Sequence, residues 1–346
     1  MGNKNKHLIE QICDWDNLVA AHKRARSGKR NRLDVIAFEQ DEWANLGALQ
    51  MELLHGSYQM GRYRAFVVYE PMLRNILAAP YRDRVAQQAI TAVTNPIWNR
   101  SMIADTYACR DGMGTHAGAD RLQYWLRQQA ARHGMRGVWA LKMDVRKYFA
   151  SIPHELARRV VRRRIRCEAT LHALDHIIGS TAGQGEINPV GIPVGNLTSQ
   201  WIGNLVGNEI DQWAKRTLRL KHYVRYMDDM VVLHHDKDYL LDIRRQFHGY
   251  LAALGLEFSM AEILPIVRGV NFLGYRIWPH HRLLRRRSIV KMRRDLKVLQ
   301  QRFEHGDITL TDVHARIMSW VAHSSHADSY GISRSLLGQA AFIRGG

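Results

Sequence analysis

The chain has 346 residues, of which 46% are apolar, and 50 lysines and arginines stand against 32 acids for a formal net charge of +18. Such a composition excludes a disordered basic tail and describes a packed globular protein of roughly two or three domains. The positive excess points to a polyanionic partner, nucleic acid or an anionic membrane surface, and arginine, well in excess of lysine, carries a planar fork of donors suited to phosphate.

No run of about 18 apolar residues occurs and the first ten residues are polar, so no membrane span or signal segment is expected, and a cytoplasmic location is. Cys13, Cys109 and Cys167 are too far apart for a disulfide framework or a zinc pair, and the 18 histidines include no HExxH. Structural zinc is not expected.

In chain order, Leu8, Ile9, Ile12, Trp15, Leu18 and Val19 recur at helical spacing, as do Trp43, Leu46, Leu49, Leu53 and Leu54, which predicts two N-terminal helices. The basic stretch Lys23 to Arg32 between them reads as an exposed connector, either touching phosphate or simply solvated. After Gly56, the runs Tyr63 to Tyr69 and Arg74 to Pro80, interrupted at Pro71, predict a hairpin with Arg74 near its tip. Tyr81 to Trp98 predicts a helix, and Thr115 is placed to cap another that runs to about Arg132.

Gly137 to Val145 alternates as a strand and ends in the acidic Asp144. Ser151-Ile152-Pro153-His154-Glu155 reads as a helix start with a hydroxyl cap and an early proline. The six arginines between Ala157 and Arg166 form either a phosphate-tracking face or a solvated one. A loop bearing Gly and Pro, Gly179 to Pro193, opens a long helix from about Asn196 to Arg216, in which Gly203 and Gly207 allow close approach of another backbone. Tyr223 to Tyr226 and Met230 to Leu233 predict a hairpin with Asp228 and Asp229 at its turn. Tyr239 to Leu254 predicts a helix ended by Gly255, and Phe272 to Ile277 a short strand pair. From Arg285 onward the chain is helical and basic, with Arg285, Arg286, Arg287, Lys291, Arg293, Arg294 and Lys297 in one cluster.

Three carboxylates carry the chemistry. An aspartate at a strand end and an aspartate pair in a turn are each common for structural reasons. If the two strands are neighbours in one sheet, however, Asp144, Asp228 and Asp229 repel one another unless cations sit between them. Two Mg²⁺ ions, with Mn²⁺ as a substitute, are the natural solution for hard carboxylate oxygens. Such a pair activates an attacking hydroxyl and stabilises departing pyrophosphate in an in-line phosphoryl transfer.

Tyr226-Met227-Asp228-Asp229, flanked by hydrophobic strands, resembles the catalytic hairpin of reverse transcriptases. Asp144-Val145-Arg146-Lys147-Tyr148-Phe149, with Ile152 three residues on, is similar to their first acidic motif, DxxxxF. Gly195-Asn196-Leu197-Thr198-Ser199 matches the GxxxS helix start beneath the incoming nucleotide, and Phe272-Leu273-Gly274-Tyr275 resembles the primer-grip hairpin. The four occur in the family's order over about residues 60 to 280.

The resemblance implies an α+β right-hand polymerase with fingers, a palm with an antiparallel sheet and a short helical thumb. Its divisions would be an N-terminal helical extension (1–60), fingers (61–135), a palm with parts of the fingers (136–280) and a basic helical thumb (281–346). It implies RNA-directed DNA synthesis from dNTPs on template RNA with a cDNA or primer strand. Asp144 and Asp228 would bridge both metals, with Val145 beside them in the metal set and Asp229 mainly supporting the metal nearest the primer 3′-hydroxyl. Phe149 falls at the steric gate that excludes a ribose 2′-hydroxyl, Arg74 at the triphosphate contact, and Val194, Gly195, Ser199 and Gln200 at the nascent pair. Tyr226, Met227, Phe272, Leu273, Gly274, Tyr275, Arg285, Arg286, Arg287 and Lys291 would meet nucleic acid.

Within the family, Val194-Gly195-Asn196-Leu197-Thr198-Ser199-Gln200, with Gln200 where many relatives have proline, is similar to the reverse transcriptases of diversity-generating retroelements. Thr106-Tyr107-Ala108-Cys109-Arg110, Gly114 to Gly118, Asn271 to Trp278 and Ser319-Trp320 extend that likeness. It implies copying of a template-repeat RNA into cDNA mutated at template adenines, in a bacterial or phage-infected cytoplasm, with a small basic oligomeric accessory variability protein and no membrane. Val194 stands where other relatives often have a hydrogen-bonding glutamine, and Glu262 roughly where many carry a lysine that protonates pyrophosphate. An antiphage defence-associated bacterial reverse transcriptase is the alternative. A non-catalytic RNA-binding protein is the remote one, against which the intact Asp144, Asp228 and Asp229 speak.

Overall fold

The computed structural model describes residues 5–68, 74–180 and 190–344. The N-terminal segment forms four helices rather than two: α1 (Leu8–Ile12), α2 (Trp15–Arg26), α3 (Leu33–Gln40) and α4 (Glu42–Leu54). The apolar stripe from Leu8 to Ala21 breaks at Asp14, whose carboxylate accepts from the Asn17 N–H at 3.2 Å and caps α2. Helix α3 escapes a search by apolar spacing because Leu33 and Ile36 face outward while Val35 and Phe38 are buried.

The expected first hairpin is present as β1 (Arg64–Val68) and β2 (Arg74–Ala78), antiparallel with Arg64 opposite Ala78. Its tip lies outside the described residues. Helices α5 (Tyr81–Asn99) and α6 (Thr115–His133) follow, and the residue preceding α6 in the cap position is Gly114, so Thr115 begins the helix and does not cap it. Next come β3 (Trp139–Val145), α7 (Tyr148–Ser151), α8 (His154–Arg162), α9 (Glu168–Gly179) and α10 (Leu197–Arg216). Ser151 closes α7 instead of opening α8: its hydroxyl donates to the carbonyls of Arg146 and Tyr148, each at 3.0 Å.

The acid-bearing hairpin is β4 (Tyr223–Tyr226) with β5 (Asp229–His234), followed by α11 (Lys237–Ala253). A strand that apolar spacing does not reveal, β6 (Phe258–Pro265), comes next, then β7 (Val270–Phe272), β8 (Tyr275–Ile277), β9 (Arg282–Leu284) and the helices α12 (Arg286–Glu304), α13 (Leu310–Ser324) and α14 (Tyr330–Gly338).

The chain divides into two units, one of Met1–Arg110, Asp144–Lys221 and Arg245–Met260, the other of Asp111–Met143, His222–Arg244 and Ala261–Gly346. In the first, α5 buries Val85, Ala86, Ala89, Ile90 and Trp98 completely, with Leu18 and Ala21 of α2 equally buried. Asn17 ties α2 to α5 by donating to the Ala89 carbonyl at 3.2 Å. Each fully buried valine, leucine or isoleucine side chain among these contributes roughly 1.5–3 kcal/mol. Helix α10 is buried on most of its faces, from Thr198 and Ser199 to Ile210 and Asp211.

The second unit holds most of a sheet of order β4-β5-β3-β6 and all of a smaller one of order β7-β8-β9. In β3 the residues Ala140, Leu141, Lys142 and Met143 are all buried, the mark of a strand covered on both faces. The C-terminal helices share a small core of Met292, Leu296 and Leu336 packed by Ile289, Ile317 and Trp320. Helix α13 starts on a reciprocal capping box between Thr309 and Asp312. Among the described residues no helix is long and apolar enough to cross a membrane.

Candidate active site

The β4–β5 register pairs Tyr226 with Asp229, which leaves Met227 and Asp228 as a two-residue turn. Asp229 is therefore the first residue of β5 and not a turn residue, a correction to the expectation from sequence. Met227 has φ +54°. A positive φ at the first position of a tight hairpin is ordinarily glycine's, and an L-residue there costs roughly 1–2 kcal/mol. Arg225, 0% exposed, holds this backbone from inside by donating to the Met227 carbonyl at 3.0 Å. Beyond Asp229 the strand is anchored by the buried Met230, Val231, Val232 and Leu233.

Asp229 has a partner that the motifs did not indicate. Lys142, 4% exposed in β3, forms an ion pair with its Oδ1, and the Lys142 ammonium also lies 5.4 Å from the centroid of the Phe272 ring. The signal in the sequence was a single lysine among the apolar residues that precede Asp144 in β3, since a buried ammonium requires a counter-charge.

In the first unit, Asp144 is the penultimate residue of β3. Ser259 of β6 donates to its Oδ1 at 2.6 Å and to its carbonyl at 3.2 Å. The Arg146 N–H also bonds the Glu257 carbonyl at 2.8 Å, so the strand end is tied down on both sides of the acid. Ser259 too was missed, because β6 was. Val145 is buried, and Glu262 of β6 is exposed.

Phe149, half-buried, lies against α10: a Cβ at Gly203 would come within 3.0 Å of its Cε1. The adjacent Tyr148 hydroxyl donates to the Gly203 carbonyl at 2.7 Å. Gly195, exposed, has φ +114°, so any side chain there strains the backbone as well as occupying space. The start of α10 is capped from elsewhere, the Leu197 N–H donating to Oε1 of Gln87 at 3.0 Å, while Asn196 donates to the Tyr63 hydroxyl at 2.7 Å. Val194 is half-buried, Ser199 is buried at 1% exposure, and Gln200 is exposed with its Oε1 3.5 Å from the Cys109 thiol. Asn204 donates to the Ala108 carbonyl at 2.5 Å, so the 106–110 segment and α10 are neighbours in the same unit. Arg74 is the first residue of β2, opposite Val68.

The β7–β8 hairpin turns on Leu273 (φ +52°) and Gly274 (φ +89°), the two positive values a type I′ turn requires. Phe272 and Tyr275 are both 0% exposed. The Tyr275 hydroxyl contacts Nδ1 of His116 at 3.2 Å and of His323 at 3.1 Å and donates to the His323 carbonyl at 2.9 Å. Burial pushes both histidines below their ordinary value, with neighbouring positive charge adding to the effect. Tyr226 and Met227 are half-buried. Arg285 precedes α12 at its N-cap position, with no capping hydrogen bond from its side chain, and Arg286 and Arg287 open the helix, all three exposed. Lys291 instead pairs with Asp295 at 2.9 Å, a carboxylate that Arg316 also reaches at 2.8 Å.

Among the described residues no group of three or more His, Cys, Asp or Glu side chains forms a ready metal cluster. The donor chemistry of the hairpin nonetheless fits a hard divalent cation: the carboxylates of Asp228 and Asp229 are hard oxygen donors, with Oδ1 of Asp229 paired to Lys142.

The fold is that of a right-hand polymerase. Apo telomerase from Candida tropicalis, truncated from the C-terminal domain, superposes with a TM-score of 0.50 at 10% identity over 69% of this chain and 59% of that one. Residues 72–277, more than half of the chain, match the family described as reverse transcriptase (RNA-dependent DNA polymerase). The chain belongs to that family, whose members are RNA-directed DNA polymerases. It is similar to protein YkfC of Escherichia coli (strain K12), 27% identical over 289 residues that make up 70% of this chain and 72% of that protein. It is also 22% identical over 228 residues to a putative COX1/OXI3 intron 1 protein of Saccharomyces cerevisiae, covering 63% of this chain and 26% of the yeast protein.

Proposed function

We propose that the chain is the reverse transcriptase of a diversity-generating retroelement, copying a template-repeat RNA into cDNA by two-metal phosphoryl transfer at Asp144, Asp228 and Asp229. The observation that carries the catalytic assignment is strand order. β3, of which Asp144 is the penultimate residue, is the neighbour of β5, which begins at Asp229, in the four-stranded sheet. The retroelement class is supported by Gln200 and the 106–110 segment, which meet at the Cys109 thiol.

Asp144 and Asp228 would hold the metal pair, and the bound metals supply the Lewis acidity that activates the primer 3′-hydroxyl and relieves charge on the triphosphate. Ser259 keeps one Asp144 oxygen hydrogen-bonded and so orients the carboxylate. Arg225 keeps the turn that presents Asp228 in its positive-φ form. Phe149, backed by Gly203, excludes a ribose 2′-hydroxyl, and Gly195 keeps the backbone bare where the nascent pair packs. Template RNA, a primer strand and dNTPs are the partners, and a small basic oligomeric protein is the accessory. The site works in a bacterial or phage-infected cytoplasm.

Asp228→Asn is expected to abolish Mg²⁺-dependent cDNA synthesis on RNA, at least about 10³-fold, while RNA binding stays largely intact. Near-normal extension by that variant would remove the catalytic assignment. Sequencing cDNA made with the cognate RNA and accessory protein tests the class. Substitutions concentrated at template adenines support it, whereas repetitive or untemplated DNA would point to a defence enzyme.

A further inference from the structure

We infer that Lys142 is a built-in counter-cation that sets how tightly the hairpin carboxylates hold divalent metal, a role that rests on the metal assignment proposed above. The ammonium sits in a strand whose neighbours Ala140, Leu141 and Met143 are all buried. A charge there is tolerated when paired, and Oδ1 of Asp229 and the Phe272 ring are among its contacts. The Asp229 side chain is itself 21% exposed, and the ion pair engages one of its two oxygens.

Two consequences follow for the adjacent carboxylates. Together with Lys142 they carry one net negative charge instead of two, and Asp229 offers a metal one oxygen instead of both. A divalent ion therefore gains less from the protein alone, and its retention depends on the phosphate oxygens that Mg²⁺ keeps in its octahedron. Lys142 in this way couples metal loading to arrival of the triphosphate. It acts through Asp229 and is a positioning residue.

The test is Mn²⁺ binding to the full chain without nucleotide or nucleic acid, read from the free-ion electron paramagnetic resonance signal, with circular dichroism confirming the fold of each variant. Lys142→Met and Lys142→Gln are expected to bind Mn²⁺ about tenfold more tightly than the parent, because a unit charge at contact distance is removed. Lys142→Arg, which keeps the charge, is expected to match the parent. Neutral variants that bind no more tightly than the parent, or an arginine variant as tight as the neutral ones, would overturn the inference.

The Gln variant retains a donor for Asp229 and decides the matter if the Met variant does not fold. A measurement on the parent chain stands behind both. In protein labelled with ¹⁵N-lysine, the ammonium resonance that Lys142→Arg identifies should shift on Mg²⁺ titration, and a resonance that ignores Mg²⁺ overturns the inference. Asp228→Asn separates the two levels. If it binds Mn²⁺ as the parent does, the metal assignment itself fails, whereas weakened binding there with unchanged neutral Lys142 variants refutes Lys142 alone.

Discussion

Gly203 is where a missing side chain makes room for the Phe149 ring, since a Cβ there would press within 3.0 Å of it. In a helix interior, Gly→Ala ordinarily stabilises by about 1 kcal/mol. Gly203→Ala in α10 is therefore expected to leave the thermal midpoint unchanged or raised, while the displaced ring raises KM for dNTPs several-fold. Steady-state kinetics beside a melting curve checks both halves, and a KM equal to the parent's would mean that Phe149 does not bear on the nucleotide. Phe149→Ala is expected to raise ribonucleotide incorporation by about tenfold or more, the discrimination one well-placed steric contact supplies. Unchanged sugar selectivity would remove the gate role.

At the scale of elements, the basic residues at the start of α12 differ from Lys291 in exposure. Arg285, Arg286 and Arg287 are exposed at its start, whereas Lys291 is held with Arg316 on Asp295. Replacing the three arginines by glutamine is expected to weaken template–primer binding and to reduce the slope of log affinity against log salt by about 0.9 for each phosphate that is no longer neutralised. Lys291→Ala should leave that slope alone and lower stability instead, by about 1 kcal/mol, because it breaks a partly buried ion pair. Binding isotherms at several salt concentrations decide between a phosphate-tracking helix and a solvated one. At Asp295, burial raises the carboxyl and the hydrogen bonds from Lys291 and Arg316 outweigh it, leaving the group below its ordinary value.

For the whole molecule, charge and protonation act together. His22, His116, His176, His234 and His323 are all held below the ordinary histidine value, burial being the largest cause in each. The unfolded chain binds protons near pH 6.5 that these folded histidines resist. Their contribution is therefore fully present above about pH 6.5 and is lost as pH falls below that value. Protonation also adds to a net charge already at +18, which raises self-repulsion. The thermal midpoint is expected to drop between about pH 7.5 and 5.5, by several degrees for destabilisation of a few kcal/mol. Differential scanning calorimetry across that range checks it, and His116→Asn with His323→Asn should flatten the dependence. A midpoint that does not move with pH would show these histidines exposed in solution.

The sequence by itself determined what local patterns can encode. The four ordered motifs identified the family, period-two and helical spacing located most elements, and the hairpin acids were visible as Asp228 and Asp229 between apolar strands. The tertiary structure decided what depends on residues far apart in the chain. It broke the N-terminal stripe at Asp14, added α3 and β6, moved Asp229 from the turn into β5, and placed Ser259 on Asp144 and Lys142 on Asp229. The reason is physical: a motif records which side chains the chemistry needs, while the partner of a carboxylate is fixed by which strands pair, and that is settled by packing between segments far apart in the chain, 115 residues for Asp144 and Ser259.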